Sequence, residues 1–290
     1  MQALRSAISR RLPGRLRPLG QRLARQADRL MGAPTAHLRP GAVMMLHIGR
    51  CGSTVLGNML QQHSRIHWDD ELYHKAMSLY GDAFAASDTI GWTRRQFAIS
   101  GSRWYGFEFK ILTDQHALYT GIPPETFVAR CIDIGVSHFI LLHRHNMLRR
   151  IISQYIGSQT KRYHLDAGGA PALTPARIDF DAIRTGPGST RPLLAYFDEV
   201  EAAYAGMERL LEGQELLHIG YEEDVEANGP GVAYERICAF LGQPAEPVAV
   251  RNRKVNPYPV RMLVEDYNRL EALLVGTRHA WMLYDDKEMA

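Results

Sequence analysis

Apolar positions from residue 42 onward alternate between short continuous runs and helical stripes. Short, mostly apolar runs predict strands at residues 43–48, 104–112, 139–142 and 216–219. The run at residues 139–142 is more continuously apolar, as is typical of a strand that a parallel sheet buries on both faces. Apolar residues that recur every three or four positions predict amphipathic helices, and they do so after residues 52 and 146 and over residues 189–211, 232–241 and 261–275. Strands that alternate with helices predict an α/β fold, in which helices flank a central, mostly parallel sheet in three layers.

The first 30 residues differ from the rest of the chain in charge. They contain eight arginines and one acidic residue, Asp28, and therefore carry +7. Because the whole chain carries +3, the remainder is mildly acidic at −4, which argues against a nucleic-acid-binding domain. One helical face would collect the leucines of this segment, Leu12, Leu16, Leu19, Leu23 and Leu30. Residues 1–30 are therefore either a flexible basic tail or an amphipathic helix that contacts a membrane surface.

The remaining composition indicates a globular protein. A chain of 290 residues with 46% hydrophobic and 22% charged residues lies within the ordinary range for a folded domain. The odd number of cysteines, Cys51, Cys131 and Cys238, lacks metal-ligand spacing and favours a reducing, cytoplasmic location without disulfides. No apolar run approaches the roughly 18 residues of a membrane span. Arginines and prolines interrupt the N-terminal segment where the apolar run of a secretory signal would lie.

The segment after the first predicted strand has the composition of an anion-binding turn. Gly49 and Gly52 allow the chain to turn tightly, so that successive backbone N–H groups point to one side. A helix that begins near Ser53 would add its unpaired N–H groups and its positive dipole end. The spacing differs from a Walker A loop, which has four residues between its glycines and a lysine before Ser or Thr. This segment predicts a phosphate or sulfate site in a P-loop-like fold, with a plain strand-to-helix turn as the alternative.

A second polar cluster follows the predicted strand at residues 139–142. One helical face collects its side chains, Asn146, Arg149, Arg150 and Ser153. Arg144 lies at the strand end just before them. A guanidinium and a hydroxyl placed in this way can bind a phosphate together, because arginine offers a planar fork of donors. A solvated basic face is the alternative for this segment taken alone.

Together the two segments resemble the sulfotransferases that use 3'-phosphoadenosine 5'-phosphosulfate (PAPS), especially their bacterial and carbohydrate-modifying branches. In that family a loop of the form (K/R)-x-G-(S/T)-T binds the 5'-phosphosulfate. The residues that match it are Arg50, Cys51, Gly52, Ser53 and Thr54. An arginine at a strand end, with a serine eight or nine residues later, binds the 3'-phosphate of the nucleotide. Arg144 and Ser153 match this spacing.

Two further segments are similar to elements of the same family. Residues 219–224 resemble an element whose tyrosine lies near the adenine, which implies that role for Tyr221. Residues 251–257 resemble a basic loop that closes over the 3'-phosphate, which implies Arg253 and Lys254 as ligands.

The resemblance also implies a division of the chain. It extends from about residue 43 to residue 283, with gaps. Residues 41–290 would therefore form the sulfotransferase domain, and residues 1–40 a basic N-terminal extension.

The resemblance also implies a catalytic base for the acceptor hydroxyl. Several carbohydrate sulfotransferases place a glutamate at about the distance of Glu71 after the loop, and Asp69 and Asp70 are rivals. A histidine serves as the base in other relatives, so three histidines remain alternatives, His67, His74 and His143.

Two cations are further candidates for the chemistry. Arg50 and the loop amides would stabilise charge on the bridging and leaving oxygens, as an oxyanion hole does. Lys110 lies on a predicted strand among apolar neighbours, where an unpaired charge is costly. We expect it to face the active centre and to pair with Glu71, with Glu108 or with a sulfate oxygen.

These observations predict direct in-line transfer of a sulfuryl group from PAPS to a hydroxyl of a carbohydrate or other small molecule, without a metal. The nucleotide product would be adenosine 3',5'-bisphosphate (PAP). A P-loop kinase or another phosphotransferase is an alternative enzyme, and a non-catalytic nucleotide-binding or membrane-surface protein is an alternative of another class. A homodimer and a peripheral membrane contact through residues 1–30 are compatible with the sequence, whereas nucleic acid is not an expected partner. The sequence does not identify the acceptor.

Overall fold

The computed structural model describes residues 16–85, 87–163, 165–166, 173–186, 188–253 and 257–284. The strands within these ranges are β1 (Ala42–His47), β2 (Ile66–Trp68), β3 (Trp104–Lys110), β4 (Val136–His143), β5 (Leu165–Asp166), β6 (Ile183–Gly186), β7 (Ser189–Arg191), β8 (Glu215–Gly220) and β9 (Asn252–Arg253). Five of them form one parallel sheet in the order β2-β3-β1-β4-β8. The predicted α/β fold with a parallel central sheet is confirmed.

Helices connect the strands of this sheet and cover it. Within the described ranges they are α1 (Arg17–Gly32), α2 (Ser53–Leu60), α3 (Leu72–Tyr80), α4 (Asp82–Ala85), α5 (Thr89–Gln96), α6 (His116–Thr120), α7 (Pro124–Asp133), α8 (Met147–Thr160), α9 (Leu193–Leu210), α10 (Pro230–Phe240), α11 (Val260–Leu263) and α12 (Tyr267–Leu274). Segments of 3₁₀ helix lie at Ala33–Leu38, Phe97–Ser100 and Ala280–Leu283, and a π-helical segment lies at Tyr221–Ala227. A search of the described helices finds none long and apolar enough to cross a bilayer.

Strand β1 occupies the centre of the sheet because all its side chains are apolar or paired. Each of its residues is buried, and Met44 lies between Phe107 of β3 and Phe139 of β4 in the register. On one side of β1 lies β3, followed by β2, and on the other side lies β4, followed by β8. Ligands bind at the carboxyl ends of the strands at such a reversal of strand order, so the residues after β1 lie at the expected binding position.

Two of the predicted helices differ from the structure. The helix expected over residues 189–211 begins only at Leu193, because Ser189–Arg191 pairs with β6 as β7. The helix expected over residues 261–275 is divided into α11 and α12. Val264, between them, forms a bridge with Ala176, so a tertiary backbone contact replaces a turn of helix there.

The N-terminal helix α1 lies against the body of the protein. Arg25 donates hydrogen bonds to both carboxylate oxygens of Asp69 and to Gln96 Oε1, the latter at 2.8 Å. Arg22 donates to the carbonyl oxygen of Leu79. At Gly32 the backbone approaches the turn Phe97–Ser100 so closely that a Cβ atom would lie 1.9 Å from the Ala98 carbonyl oxygen. The helix is thus held by guanidinium groups and by a close backbone contact.

Candidate active site

The turn between β1 and α2 has the geometry of an anion-binding loop. Gly49, Arg50 and Gly52 all have positive φ angles, of 80°, 59° and 87°, and α2 begins directly afterwards at Ser53. At Gly52 a Cβ atom would also lie 3.0 Å from the ring of Tyr221. Both the backbone conformation and the close ring therefore require glycine at this position. The helix start places the first N–H groups of α2 beside the loop.

Polar side chains on the protein side of the loop form hydrogen bonds with its backbone. His47 Nδ1 accepts a hydrogen bond from the Gly49 N–H at 2.9 Å, so its Nε2 carries the proton that faces Glu108 Oε2 at 3.1 Å. Arg150 and Gln115 both donate to the carbonyl oxygen of Ile48 at 2.9 Å. These bonds fix the backbone of the loop before any ligand is bound.

Three guanidinium groups gather around the loop. Arg50 donates to Ser153 Oγ at 3.1 and 3.0 Å, and Arg144 donates to the Arg50 carbonyl oxygen at 2.7 Å. Burial lowers the pKa of Arg50, and repulsion by Arg144 and Arg150 lowers it further. The carboxylate nearest to Arg144 is Glu222, at 4.0 Å. This concentration of positive charge is a favourable place for a polyanion.

Two N–H groups of this cluster favour the same kind of ligand. Arg144 Nε and Arg150 Nη1 are buried and make no hydrogen bond to the described residues. A buried donor without an acceptor costs about 1–3 kcal/mol, and phosphate oxygens are acceptors that would satisfy it. The residues present therefore fit a nucleotide with more than one phosphate group.

The structure brings most of the predicted nucleotide ligands together. Tyr221 lies between Gly52 and Arg144, whose guanidinium carbon is 4.3 Å from the ring centroid. Ser153 contacts Arg50 rather than Arg144. The main chain of Arg253 pairs with Leu165 in the ladder of β5 and β9.

Lys254 and the side chain of Arg253 lie outside the described residues. Cys51 is buried, and burial raises the pKa of its thiol, which donates to the Gly49 carbonyl oxygen at 3.1 Å. The thiol is therefore neutral and turned into the protein.

Glu71 and Lys110 form an ion pair on the other side of the loop. Glu71 lies at the start of α3 and Lys110 at the end of β3, and Glu71 Oε1 is 2.8 Å from Lys110 Nζ. Lys110 also covers the loop, since its Cε lies 3.3 Å from the place of a Cβ atom on Gly49. The pair thus connects the predicted base directly to the predicted anion site.

His116 completes this group. Its Nδ1 accepts a hydrogen bond from the Lys110 N–H at 3.0 Å, so the proton of the neutral ring is on Nε2, 3.9 Å from Glu71 Oε2. Burial lowers the pKa of His116 to about 4. Burial alone would raise the pKa of Glu71, but the His116 ring and the Lys110 ammonium outweigh it and hold that pKa well below its usual range. Glu71 is therefore ionised at neutral pH.

The two rival carboxylates are engaged elsewhere. Asp69 is buried and bound by Arg25, and it also accepts from the Tyr105 hydroxyl at 2.8 Å. Asp70 accepts from Lys75 Nζ at 2.9 Å and from the side-chain amide of Gln61 at 2.5 Å. Of the three neighbouring carboxylates, Glu71 is the one that contacts Lys110 beside the loop.

The three histidines considered as bases lie in different places. His67 stacks on Tyr105 at 5.7 Å, and burial lowers its pKa to about 4. His143 lies against Tyr204, and burial likewise lowers its pKa to about 4. His74 is exposed and lines the same cleft as Glu71.

A single cleft contains both halves of this arrangement. Its volume is about 1390 Å³, and its walls include the loop, Arg144 and Tyr221 at one end and Glu71 with His116 at the other. Ligand pockets usually have volumes of about 300–1,000 Å³. The cleft therefore has room for two ligands side by side.

Several residues of the site did not emerge from the sequence. His47, Gln115 and His116 act through hydrogen bonds that depend on neighbouring strands and helices. Arg150 was placed on a polar helical face, but it is 2% exposed and points beneath the loop. The available signal was the position of His47 two residues before Gly49, at the end of an apolar run.

Comparisons with known proteins find similarity among solved structures. No family model matches the chain, and no curated protein matches it. Among solved structures, the chain is similar to the crystal structure of a sulfotransferase from Alicyclobacillus acidocaldarius, with 18% sequence identity and a TM-score of 0.48. The match covers 84% of this chain and 98% of that chain. The fold class of this chain follows from its own strand order and register.

Proposed function

We propose that this protein is a sulfotransferase that moves a sulfuryl group from PAPS to a hydroxyl group of a carbohydrate or another small molecule. The observation that carries the proposal is the composition of one cleft. Buried guanidinium groups with unpaired N–H donors lie at one end, and an ionised carboxylate paired with a lysine lies at the other.

The guanidinium end is proposed to bind the nucleotide. The positive φ angles at Gly49 and Gly52 and the start of α2 would direct backbone N–H groups, with those of Ser53 and Thr54, toward the 5'-phosphosulfate. Arg144 is the proposed ligand of the 3'-phosphate, because its Nε is buried and makes no hydrogen bond to the described residues.

Other residues at this end have supporting roles. Tyr221 is proposed to contact the adenine, and Arg50 with Ser153 to contact a phosphate group. Arg253 and Lys254 are proposed to add positive charge near the 3'-phosphate.

Glu71 is proposed to accept the proton of the acceptor hydroxyl. The oxygen then bonds to sulfur, the bond between sulfur and the 5'-phosphate oxygen breaks, and the leaving phosphate carries away the electron pair. The loop N–H groups and Arg50 would stabilise the charge that develops on these oxygens. Direct transfer of this kind does not need a covalent intermediate on Cys51, whose thiol is neutral and buried.

Lys110 is proposed to exchange partners during the reaction. In the structure it neutralises Glu71 and contacts the loop. A carboxylate with a depressed pKa is a poor base. If the ammonium group turns toward the sulfuryl oxygens, the pKa of Glu71 rises and its carboxylate becomes a better proton acceptor.

A wider set of expectations accompanies this function. We propose residues 41–290 as the catalytic domain, a small-molecule acceptor as the partner and the cytoplasm as the location. The free, buried state of the three cysteines agrees with a reducing compartment. The N-terminal 30 residues are proposed to contact a membrane surface.

Calorimetric titration of three nucleotides tests the donor. Adenosine 3',5'-bisphosphate should bind about tenfold to 100-fold more tightly than adenosine 5'-monophosphate, because a hydrogen bond to a charged group contributes about 1.5–3 kcal/mol. ATP is the third ligand, measured with and without Mg²⁺. Equal affinity for the two adenosine phosphates would contradict the proposal, and a clear preference for ATP with Mg²⁺ would favour a phosphotransferase.

A further inference from the structure

Helix α1 is amphipathic, but its polar side faces the protein. Arg22 and Arg25 bind the body through Leu79, Asp69 and Gln96, and their guanidinium groups lie over the rings of Tyr80 and Trp92 at 4.9 and 5.6 Å. A surface helix of a globular protein normally turns its apolar stripe to the core and its charges to water. The orientation of α1 is the reverse.

The apolar side chains of this segment face solvent instead. Their exposed fractions are 48% for Leu16, 53% for Leu19, 58% for Leu23, 68% for Leu30 and 60% for Met31. At 100° per residue they lie within a stripe about 120° wide, opposite Arg25. None of the residues in α1 is buried. This exposed row, Leu16, Leu19, Leu23, Leu30 and Met31, is called the leucine face.

The docked arginines keep the leucine face turned outward. Arg25 and Asp69 form a buried ion pair, and rotating the helix inward would break it and leave the Asp69 charge unpaired. Such a loss costs about 3–5 kcal/mol, and the contacts of the two guanidinium groups with Leu79, Gln96 and the rings of Tyr80 and Trp92 would be lost with it. The outward direction is therefore a stable property of the fold.

Charge decides between two ways of covering the leucine face. Residues 1–30 carry +7, and residues 1–15 contain four arginines and no acidic residue. Two copies of the chain joined through this face would bring two such segments together, and their charges would repel. An anionic lipid surface attracts the same arginines and accepts leucine side chains between its headgroups.

We propose that α1 binds the interfacial layer of an anionic membrane with the leucine face in the lipid, and that the net positive charge of residues 1–30 attracts this part of the chain to anionic headgroups. The catalytic body is then held at the membrane by Arg22 and Arg25 from the opposite side of the same helix. This inference does not depend on sulfuryl transfer, since it rests on α1 alone.

Co-sedimentation with vesicles tests the inference. The full chain is mixed with phosphatidylcholine vesicles with and without about 30% phosphatidylserine. The test variant is Leu23→Gln with Leu30→Gln, which keeps good helix formers in α1. The matched control is Met262→Gln with Val275→Gln, two exposed apolar residues elsewhere on the surface.

Wild type and control should bind the anionic vesicles, and the test variant should bind about tenfold or more weakly, since two leucines no longer enter the lipid. Equal binding by test variant and wild type would overturn the role of the leucine face.

Two other results would overturn the membrane as the partner. If wild type does not bind and sediments as a dimer that the test variant dissociates, a second copy covers the face. If wild type does not bind but a variant without residues 2–15 does, that segment of the chain covers it.

Discussion

The two ends of the cleft differ in how their cations and carboxylates are paired. At the nucleotide end, burial and the neighbouring charges of Arg144 and Arg150 lower the pKa of Arg50, and the Glu222 carboxylate lies 4.0 Å from Arg144. At the acceptor end each carboxylate has its own cation. The pairs are Asp69 with Arg25, Asp70 with Lys75, and Glu71 with Lys110.

This difference assigns different tasks to the two ends. A cationic end whose guanidinium groups are only weakly compensated gains most from binding an anion, so it is suited to affinity. A compensated end has little charge to offer a ligand, and its groups become reactive only when a pair is broken. Lys110 contacts both ends of the cleft, because it pairs with Glu71 and also contacts the loop at Gly49.

The largest effect on activity is expected at Glu71. Glu71→Gln keeps the shape of the side chain but removes the proton acceptor, so turnover should fall about 10²- to 10⁴-fold. Affinity for adenosine 3',5'-bisphosphate should change little, since the residue lies at the acceptor end. A steady-state assay and a calorimetric titration measure the two quantities. Asp70→Asn is the control, and an equal loss in that variant would contradict the assignment of the base.

The next largest effect concerns stability. Arg25→Ala removes the cation from the buried Asp69 carboxylate, which then keeps the Tyr105 hydroxyl as a donor, and should cost about 3–5 kcal/mol in the free energy of unfolding. Arg25 holds the pKa of Asp69 below its usual range against the opposing effect of burial, so this contribution is present at neutral pH. It is lost as pH falls below about 4, where aspartate in the unfolded chain takes up its proton.

Urea unfolding measured at several pH values tests this expectation. Arg29→Ala, on the same helix, is the control and should change stability by about 0.5 kcal/mol or less. Similar losses in both variants would show that Asp69 is not the cause.

A smaller effect is expected at the nucleotide end. Arg144→Ala should weaken the binding of adenosine 3',5'-bisphosphate by about 1.5–3 kcal/mol, the range for a hydrogen bond to a charged group. Affinity for adenosine 5'-monophosphate should change less, because that ligand lacks the 3'-phosphate. Arg130→Ala removes an exposed arginine of α7 and is the control for net charge. If Arg144→Ala weakens the binding of both ligands equally, Arg144 does not bind the 3'-phosphate.

The smallest effect is a shift in pH dependence. Lys110→Met removes a cation that lowers the pKa of Glu71, so that pKa should rise toward or above the usual value of about 4.3. Activity requires the ionised carboxylate, and the acid limb of kcat/KM should therefore move to higher pH in the variant. Lys75→Met, which removes the partner of Asp70, should leave the limb in place. If the acid limb of kcat/KM does not move in Lys110→Met, the group that titrates in this limb is not Glu71.

The sheet could be predicted from the sequence because its strands are short apolar runs. The run at residues 43–48 corresponds to β1 within one residue at each end. Helix boundaries were less predictable where a backbone contact intervenes, as at Val264. Periodicity identified the leucines of the N-terminal segment. It could not predict the side that they face, because α1 docks through Asp69, which is distant in the sequence.

The site could be predicted only in part, because some of its residues belong to a local motif and others act through tertiary contacts. Gly49 and Gly52 are required by local backbone geometry, and a local motif reveals them. His47 and Arg150 act on the loop through buried hydrogen bonds across the fold, and such partners are set by tertiary packing. The role of Glu71 rested on resemblance, and the structure adds its pairing with Lys110.

The contact between Arg25 and Asp69 affects how truncated forms of this protein should be interpreted. Asp69 is two residues from Glu71, and its N–H donates to Gly106 of β3 at 2.8 Å. A chain that starts at residue 41 would lose the guanidinium that neutralises Asp69, beside the segment that carries Glu71. Inactivity of such a chain would report damage to this segment and would not show that lipid binding is needed for turnover. Substitutions on the leucine face separate the two causes, because they leave Arg25 in place.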